Sequence, residues 1–500
     1  MNSKDWLLAQ ENPGSTTCFL LGRINSEERL QQFSKYNDVV WLVDQEHLQP
    51  KFQLYSNIHI SPLESIDKEK LDEIIELLTQ VNPSALPDIY CSPDILEYHP
   101  AAYDFILQRV QIISEETLRA RQTRQEEGYI AQKNILENLP YYVTNRATTA
   151  LKDSQKGIPV AVIGAGPSLD ATIHIVKEYG SKFLVFAVDS ALGILHEQGI
   201  TPDATFSIDA EKPAAACVQE QQSPGSLFLS IKSPNDWCQF SESPKHFLSG
   251  NNLTEDWLVE QGIPKSELSA LGNCGITAVK TAMHLGCTPI LLFGMDHATS
   301  ESGEGHAQNV NQAISRGKTH NPASRSTTVP GNYSPRVKTF LLNEWEKLDQ
   351  LISNLPESQE VWNINDRGAK YEKAKLVHPD QFSIDTPAIT KRPELSPQRR
   401  ENANEHYSTL INSLENLLIQ QKASIDCVLN SVKPEAPETL ENLTKIFQHP
   451  HLSKLLGSLS FKTIPSLLKW ASLNIDQKKI ILEETQTLLQ LLNKPSISSN

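Results

Sequence analysis

The fold of the central part of this chain can be predicted from the residues Pro159-Val-Ala-Val-Ile-Gly-Ala-Gly-Pro-Ser-Leu-Asp170. This stretch starts with an apolar run, Val160 to Ile163, turns at two glycines and becomes compatible with a helix at Leu169. Such a run is typical of a buried parallel strand, and a helix after a glycine turn presents backbone N–H groups at its positive end. The sequence therefore predicts a strand, a turn that binds a phosphate or carboxylate, and a helix.

Four residues of the turn carry this prediction, namely Gly164, Gly166, Pro167 and Ser168. The glycines allow the backbone to approach an anion, Pro167 is expected at the first helical position, and Ser168 adds a hydroxyl. The turn is not the dinucleotide motif G-x-G-x-x-G, because Leu169 stands where the third glycine would be, and no Gly-Lys-Ser/Thr of a P-loop follows. We expect a phosphate-bearing ligand other than NAD, with a tight turn that binds no ligand as the alternative.

Composition narrows the class of protein. The chain has 500 residues and a formal net charge of -15, with 45 Lys and Arg against 60 Asp and Glu. This balance argues against a nucleic-acid partner or a basic membrane anchor. No apolar run reaches the roughly 20 residues of a transmembrane helix, and the first residues do not follow the pattern of a signal peptide. The 7 cysteines are scattered without a C-x-x-C pair, which indicates reduced thiols. We therefore expect a soluble, cytoplasmic protein without a membrane span.

The pattern of strands and helices predicts several domains. Alternating runs predict a small α/β domain over residues 1–112. A charged segment predicts a helical connector over 113–149, whose long helix, Ser114 to Val143, is expected to end near Pro140. Residues 150–375 predict a doubly wound, Rossmann-like α/β domain, followed by a proline-containing linker at 376–399 and a helical domain at 400–495. The expected strands of the central domain are Val160–Ile163, Phe183–Val188, Ala204–Ile208, Leu227–Ile231, His246–Leu248, Ile290–Phe293 and Val361–Ile364.

Acidic side chains follow two of these strands. Ligands of open parallel sheets bind at the carboxyl ends of the strands, so Asp189 and Asp209 are candidate ligand-binding residues. Asp189 is expected either to accept a hydrogen bond from a ribose hydroxyl or to cap the helix that begins at Ser190. Asp209 is a better candidate than Asp203, because Asp203 precedes the same strand at its opposite end and is expected to have a role in the turn.

A second glycine-rich loop, Gly272-Asn273-Cys274-Gly275, opens onto another predicted helix. It is a second candidate anion site, formed by Gly272, Asn273 and Gly275. Thr277 lies in the first turn of that helix, where its hydroxyl is expected to bond either a ligand or its own backbone.

Asp296 and His297 follow the strand Ile290–Phe293, and residues 296–335 form a long polar loop that also contains His306 and His320. A neutral imidazole there is suited to take a proton from an acceptor hydroxyl, whereas a solvated loop histidine is the alternative for each one. Asp296 and the histidines match no strong metal-binding motif, so the metal ligands stay unassigned.

Several of these candidate residues belong to motifs that occur in a characteristic order along the chain. They comprise Gly164 to Asp170, Gly199-Ile-Thr-Pro-Asp203 with Asp209, Leu285-Gly-Cys-Thr-Pro-Ile290 with Gly294 and Asp296, His306-Ala307, Val329-Pro-Gly-Asn-Tyr333 with Val337-Lys-Thr339, and Asn363 with Gly368-Ala369. This set resembles the motility-associated factor family of flagellin glycosyltransferases, whose central region is similar to archaeal 6-hydroxymethylpterin diphosphokinases. The glycine turn also resembles the Gly-x-Gly-Pro-Ser-Leu turn of bacterial sialyltransferases that use CMP-sialic acid. The resemblance covers residues 150–375 well.

The resemblance implies a transferase that moves an acidic nonulosonic sugar from a CMP-sugar donor to a Ser or Thr hydroxyl of a protein, with flagellin as one acceptor. It implies that Gly164, Gly166 and Ser168 hold the donor phosphate. Asp209 and Asp296 would orient ribose, sugar or a metal-bound phosphate, and a loop histidine would be the general base.

His306 is the first choice for that base, with Asp296 and His297 as the other catalytic candidates. The chain departs from the family at His297, where members carry an apolar residue, and at Asn273 and Cys274 of the second loop.

Two other functions are compatible with the sequence. The first is a Mg²⁺-dependent diphosphokinase that uses ATP, in which Asp209 and Asp296 would be metal ligands. The second is a non-catalytic module that binds a nucleotide sugar. No cofactor is assigned, and Mg²⁺ is the ion to test.

Overall fold

The structure is a computed structural model. It describes residues 7–10, 15–24, 27–44, 56–63, 67–81, 87–144, 148–219, 222–240, 243–300, 303, 305–307, 327–392, 395 and 402–493. The chain divides into two compact units, Met1–Arg124 and Gln125–Asn500. The division into five segments that the sequence indicates stays a prediction.

The first unit contains a five-stranded sheet with the order β1-β5-β2-β3-β4. Its strands are β1 (Leu7–Gln10), β2 (Thr17–Leu21), β3 (Asp38–Val43), β4 (Ile58–Pro62) and β5 (Asp88–Cys91). Only β1 runs antiparallel to its neighbour among the described pairs. The helices are α1 (Glu27–Phe33), α2 (Lys68–Val81) and α3 (Pro93–Tyr98). The predicted small α/β fold of this region is therefore confirmed.

A long helix, α4, runs over Pro100–Thr144. It begins before the predicted connector and continues past Pro140, so the expectation that this proline marks the helix end is wrong. A proline inside a helix removes one backbone N–H donor, and its neighbours can still keep helical geometry. In the last turn, Thr144 Oγ1 donates a hydrogen bond to the Pro140 carbonyl at 2.7 Å.

The second unit is built on an eight-stranded sheet with the order β10-β9-β8-β7-β6-β11-β14-β15, whose described pairs are all parallel. Its strands are β6 (Val160–Ile163), β7 (Leu184–Val188), β8 (Ala204–Ser207), β9 (Ser226–Ser230), β10 (Lys245–Leu248), β11 (Ile290–Phe293), β14 (Val361–Ile364) and β15 (Lys375–Val377). The seven strands expected from sequence all form, with bounds that differ by one residue at most. The doubly wound α/β fold is confirmed.

The strand order reverses between β6 and β11. From β6 the chain proceeds outward through β7 to β10, and it then returns to place β11 on the other side of β6. Every residue of both strands is buried, because parallel sheets are covered by helices on both faces. Such a reversal opens a crevice at the carboxyl ends of the two strands, which is where open α/β sheets bind ligands.

Helices cover both faces of this sheet. They are α5 (Leu169–Tyr179), α6 (Leu192–Glu197), α7 (Ala214–Cys217), α8 (Asp236–Phe240), α9 (Leu253–Glu260), α10 (Cys274–His284) and α11 (Leu342–Ser353). The N-termini of α5 and α10 lie at the carboxyl edge of the sheet, since α5 follows the turn after β6 and Cys274 of α10 contacts Asp189 beyond β7.

Part of the region predicted as a polar loop forms a hairpin. Strands β12 (Thr327–Pro330) and β13 (Arg336–Thr339) pair antiparallel around Gly331. The sequence did not reveal them because they bury little apolar surface; Val329 is fully buried, whereas most of their other side chains are at least partly exposed.

The carboxyl-terminal region is helical, as predicted. Its helices are α12 (Ala403–Gln420), α13 (Lys422–Asn430), α14 (Pro437–Gln448), α15 (Leu452–Leu455), α16 (Gly457–Leu468) and α17 (Ile475–Leu492). On α12, Leu410, Leu414 and Leu417 form a buried stripe at helical spacing and join the core that contains the large sheet. Among the described residues, no helix is both long and apolar enough to cross a membrane.

Candidate functional site

The Asp296 carboxylate lies at the crevice between β6 and β11 and joins two loops. Its Oδ2 atom accepts hydrogen bonds from the Ser168 backbone N–H at 3.0 Å and from Ser168 Oγ at 2.9 Å. Its Oδ1 atom accepts from Asn365 Nδ2 at 3.2 Å, just beyond β14. Asp296 is 3% exposed, and burial raises its pKa although these hydrogen bonds lower it. The candidate acid is thus a buried group that holds the start of α5.

Two glycines make room for this carboxylate. A Cβ atom built on Gly166 would clash with Asp296 Oδ2, and one built on Gly368 would lie 2.8 Å from Oδ1. The Gly166 N–H also donates to the Gly294 carbonyl at 2.8 Å, and the Gly164 N–H donates to Phe293 at 2.8 Å. The glycine turn is therefore packed directly against the loop that follows β11.

The turn differs from the expected geometry at Pro167. Helix α5 begins at Leu169 with Ser168 as its N-cap, so the proline precedes the cap and is not the first helical residue. The Leu169 N–H donates to the Gly166 carbonyl at 3.0 Å, which closes a β-turn with Pro167 at its second position. The fixed φ of proline suits that position, and this explains the difference. A phosphate that used the Ser168 N–H would have to replace the Asp296 carboxylate.

His297 is buried and engaged at both ring nitrogens. Tyr371 Oη donates to the Met295 carbonyl at 2.7 Å, so at 2.7 Å from the same hydroxyl His297 Nδ1 is the donor. His297 Nε2 then accepts from Asn273 Nδ2 at 3.3 Å. Burial lowers the pKa of this imidazole to about 4. The backbone φ of 41° is unusual for a residue other than glycine, and such strain clusters at functional sites.

The second glycine loop contacts this histidine through Asn273. Asn273 Oδ1 accepts from the Ile276 N–H at 2.9 Å and caps α10, while its Nδ2 reaches His297. Thr277 Oγ1 donates to the Asn273 carbonyl at 2.7 Å, so of the two expected roles for this hydroxyl the structure shows the backbone bond. Gly272 is exposed, and Gly275 packs so closely that a Cβ there would lie 2.6 Å from the Met295 sulfur.

Asp189 and Asp209 lie farther along the same edge, beyond β7 and β8. Asp189 is 1% exposed; it accepts from the Ser190 N–H at 2.7 Å and from Ser207 Oγ at 3.0 Å, and forms an ion pair with Lys212 at 3.2 Å. Burial opposes the charge of Lys212, but the Asp189 carboxylate holds the pKa of the lysine above its ordinary value. Asp209 is half-buried and accepts from the Glu211 N–H at 3.0 Å.

Asp209 and Asp296 are too far apart to bind the same metal ion. The strands that precede Asp209 and Asp296 are β8 and β11, with β7 and β6 between them. Three strand spacings amount to roughly 14 Å, which is too far for two carboxylates to bind one Mg²⁺. Across the described part of the chain, no group of three or more His, Cys, Asp and Glu side chains is arranged to hold a metal ion.

His306 is exposed and lies beside the glycine turn. The N–H of its neighbour Ala307 donates to the Ala165 carbonyl at 2.9 Å. The structure thus separates the two candidate histidines, with His297 inside the protein and His306 at the surface of the crevice. His320 lies outside the described residues.

Three residues of this edge were missed by sequence reasoning, namely Asn365, Arg367 and Tyr371. The rule that ligand-binding side chains follow strand ends, applied to β14, would have found Asn365 and Arg367. Arg367 is exposed and pairs with Asp366 through Nε–Oδ1 at 2.8 Å and Nη2–Oδ2 at 2.6 Å. Nothing in the local sequence reveals the partner of Tyr371.

The motifs that carry the family resemblance meet here. The Ala369 N–H donates to the Asp296 carbonyl at 2.8 Å, and the Lys370 N–H donates to Pro330 of the hairpin at 2.8 Å. The Asn332 N–H donates to the Gly368 carbonyl at 3.0 Å. Motifs that are far apart in sequence therefore form one connected edge around Asp296.

Comparisons with known proteins agree with this arrangement. Residues 133–302 match the family model described as MptE-like, 6-hydroxymethylpterin diphosphokinase MptE-like. A solved MAf glycosyltransferase from Magnetospirillum magneticum AMB-1 is 14% identical, with 98% of this chain and 80% of that chain covered and a TM-score of 0.54. These two matches confirm the resemblance predicted from the motifs. Residues 133–302 match the MptE-like model, and the chain shares its fold with a MAf glycosyltransferase.

Two sialyltransferases from Campylobacter jejuni are more distant. CstII, solved with the substrate analogue CMP-3FNeuAc, is 14% identical with a TM-score of 0.28, and 50% of this chain and 98% of that chain are covered. The monofunctional alpha-2,3-sialyltransferase Cst-I is also 14% identical with a TM-score of 0.28, and the coverage is 52% and 96%. Among curated protein sequences, none matches this chain significantly.

The contact between Gly166 and Asp296 predicts a cost for any side chain at this glycine. Gly166→Ala is expected to lower the free energy of unfolding by about 1–3 kcal/mol, because the new methyl group would clash with the carboxylate. Gly180→Ala is the matched control, since a Cβ there meets nothing within 4 Å. Urea denaturation of both variants measures the difference, and equal midpoints would contradict the tight packing at Gly166.

The buried neutral His297 predicts an acid-sensitive fold. Its pKa falls from 6.5 to about 4 on folding, so between these pH values the unfolded chain binds the extra proton and stability falls as pH falls. His297→Asn, which tolerates positive φ, should reduce the loss of unfolding free energy between pH 7 and pH 5 by roughly 2 kcal/mol relative to the unsubstituted protein. Denaturation at both pH values tests this, and parallel losses in the two proteins would show that His297 is not buried in the neutral form.

Proposed function

We propose that the protein is a glycosyltransferase that moves an acidic nonulosonic sugar from a CMP-sugar donor to a Ser or Thr hydroxyl of an acceptor protein, with flagellin as one acceptor. One observation carries the proposal: the glycine turn, Asp296 and the exposed His306 meet at the crevice where the strand order reverses. The fold shared with a MAf glycosyltransferase over 98% of this chain supports it. The resemblance of the glycine turn to that of CMP-sialic acid enzymes supports the choice of donor.

In this mechanism, different residues of the crevice position the donor and act on the acceptor. The donor phosphate binds along the rim formed by the glycine turn and the Gly272–Asn273 loop, where Gly166 and Asn273 are half-buried and Gly272 is exposed. Asp296 keeps the turn in position through Ser168, and Asn273 is held by His297. Such positioning supplies much of the rate in group transfer.

His306 is the proton acceptor in this mechanism. The acceptor hydroxyl attacks the anomeric carbon of the sugar while a neutral His306 nitrogen takes the hydroxyl proton, and the bond from that carbon to the CMP phosphate breaks with its electron pair on CMP. His297 is unsuited to this step because its nitrogens are occupied by Tyr371 and Asn273. We assign His297 a positioning role.

A diphosphokinase is the second candidate, because residues 133–302 match a family described as 6-hydroxymethylpterin diphosphokinase MptE-like. That reaction needs Mg²⁺ on the ATP phosphates. The separation of Asp209 from Asp296 by three strands counts against these acids as joint ligands. The glycosyltransferase therefore explains the arrangement better.

Ligand-induced stabilisation separates the two enzymes. The purified protein is heated with CMP, CDP, UDP, GDP or ATP, each with and without Mg²⁺, and a ligand at 100 times its Kd should add about 2.7 kcal/mol of stability. The proposal predicts a higher Tm with CMP in the absence of metal. A higher Tm with ATP and Mg²⁺ alone would replace it with the diphosphokinase.

Substitution of His306 separates catalysis from binding. His306→Ala is expected to lower kcat for sugar transfer by about 10²–10⁴-fold, because the proton acceptor is lost, while the Kd for CMP stays unchanged. His174→Ala, at an exposed histidine of α5, is the matched control. Transfer is measured with a labelled CMP-sugar and flagellin. Full activity of His306→Ala would remove it from the mechanism, and a chain that binds CMP-sugar but transfers to no acceptor would be a non-catalytic module.

A further inference from the structure

Arg367 lies in a turn that is built around Asp296. Its own N–H donates to Asn365 Oδ1 at 2.9 Å, and Asn365 Nδ2 donates to Asp296. On its other side, Gly368 packs on the Asp296 carboxylate and the Ala369 N–H donates to the Asp296 carbonyl. The residues on both sides of Arg367 are therefore fixed to the loop at the crevice, which restricts where the guanidinium can lie.

The guanidinium remains accessible in this rigid turn. The Arg367 side chain is 48% exposed, and Asp366 occupies its Nε and Nη2 atoms. Asp296 beyond β11 and Asp170 in the first turn of α5 also act on Arg367 electrostatically. In the described part of the chain, the side-chain hydrogen bonds of Arg367 use its Nε and Nη2 atoms, and its Nη1 group makes none.

We propose that Arg367 binds the carboxylate of the acidic sugar in the donor, so that it selects nonulosonic acids over neutral sugars. This inference rests on the proposed function and deepens it. The donor phosphate is assigned to the glycine rim on the β6 side, and Arg367 follows β14, on the other side of β11. The phosphate oxygen and the carboxylate of such a donor are bonded to the same anomeric carbon, so the two groups lie close together. The long side chain of Arg367 therefore has to extend from the β14 loop toward the glycine turn, and the electrostatic effect of Asp170 on Arg367 agrees with that direction.

The chemistry of the guanidinium favours an acidic sugar over a neutral sugar at Arg367. A guanidinium is a planar fork that matches the two oxygens of a carboxylate, and hydrogen bonds between charged groups are stronger than neutral ones. Asp366 already forms this two-point contact with the Nε and Nη2 atoms, and it orients the remaining edge. A neutral sugar offers no charge to that edge, so it gains less from the same contact.

A comparison of an acid with its amide tests the inference. The probes are CMP-3-fluoro-N-acetylneuraminic acid and the same compound with the carboxylate replaced by a carboxamide, and the full chain is titrated with each by calorimetry. The unsubstituted protein should bind the acid roughly tenfold or more tightly than the amide. In Arg367→Gln this preference should fall to about one, while affinity for the amide changes little.

Lys370→Gln is the matched control, because Lys370 is an exposed cation of the same loop. It should keep the preference for the acid. The Tm of each variant, measured without ligand, reports whether it is folded, and Arg367→Lys should show an intermediate preference because the charge is kept and the fork is lost.

The possible outcomes separate the two proposals. If the unsubstituted protein binds both probes and Arg367→Gln keeps the preference for the acid, the inference is wrong and the proposed function stands. Equal weakening of both probes would place Arg367 on the phosphate, which also overturns the inference. If the unsubstituted protein binds neither probe, the proposed donor is wrong and the role of Arg367 is rejected with it.

Discussion

The buried carboxylate of Asp296 is the constraint on which the rest of the site depends. A carboxylate taken out of water is stable only when hydrogen-bond donors surround it, and here Ser168 and Asn365 supply them from the loops after β6 and β14. Gly166 and Gly368 leave the space that the oxygens need. The Asp296 side chain therefore links the turn before α5, the loop after β11 and the loop after β14 through hydrogen bonds.

The burial of Asp296 also explains why we propose different roles for the two neighbouring histidines. His297 follows Asp296 directly and is carried into the interior, where burial lowers its pKa to about 4 and its nitrogens bind Tyr371 and Asn273. His306 is exposed, beside the turn that Asp296 holds. We therefore propose positioning for the buried, neutral His297 and proton transfer for the exposed His306, which an acceptor hydroxyl can reach.

Much of the fold could be predicted from the sequence because its signals are local. Continuous apolar runs such as Val160–Ile163 and Ile290–Phe293 indicate buried parallel strands wherever they occur. Polar residues at strand ends, such as Asp296, could be placed at one edge by the same rule. The hairpin β12–β13 escaped prediction because it buries little apolar surface, and Tyr371 because nothing in the local sequence reveals its partner. Asn365 was missed although the same rule, applied to the end of β14, would have found it.

Hydrophobic pattern and backbone preference are local properties. The amino-acid sequence alone was therefore enough to predict the strands, the glycine turn and the edge of the sheet at which the polar residues gather. The tertiary structure was needed to establish which polar groups contact each other. Ser168 and Asp296 are 128 residues apart in the chain, and Asp296 and Asn365 are 69 apart. Such pairs form only when the strand order brings β6, β11 and β14 side by side, and no local pattern encodes that neighbourhood.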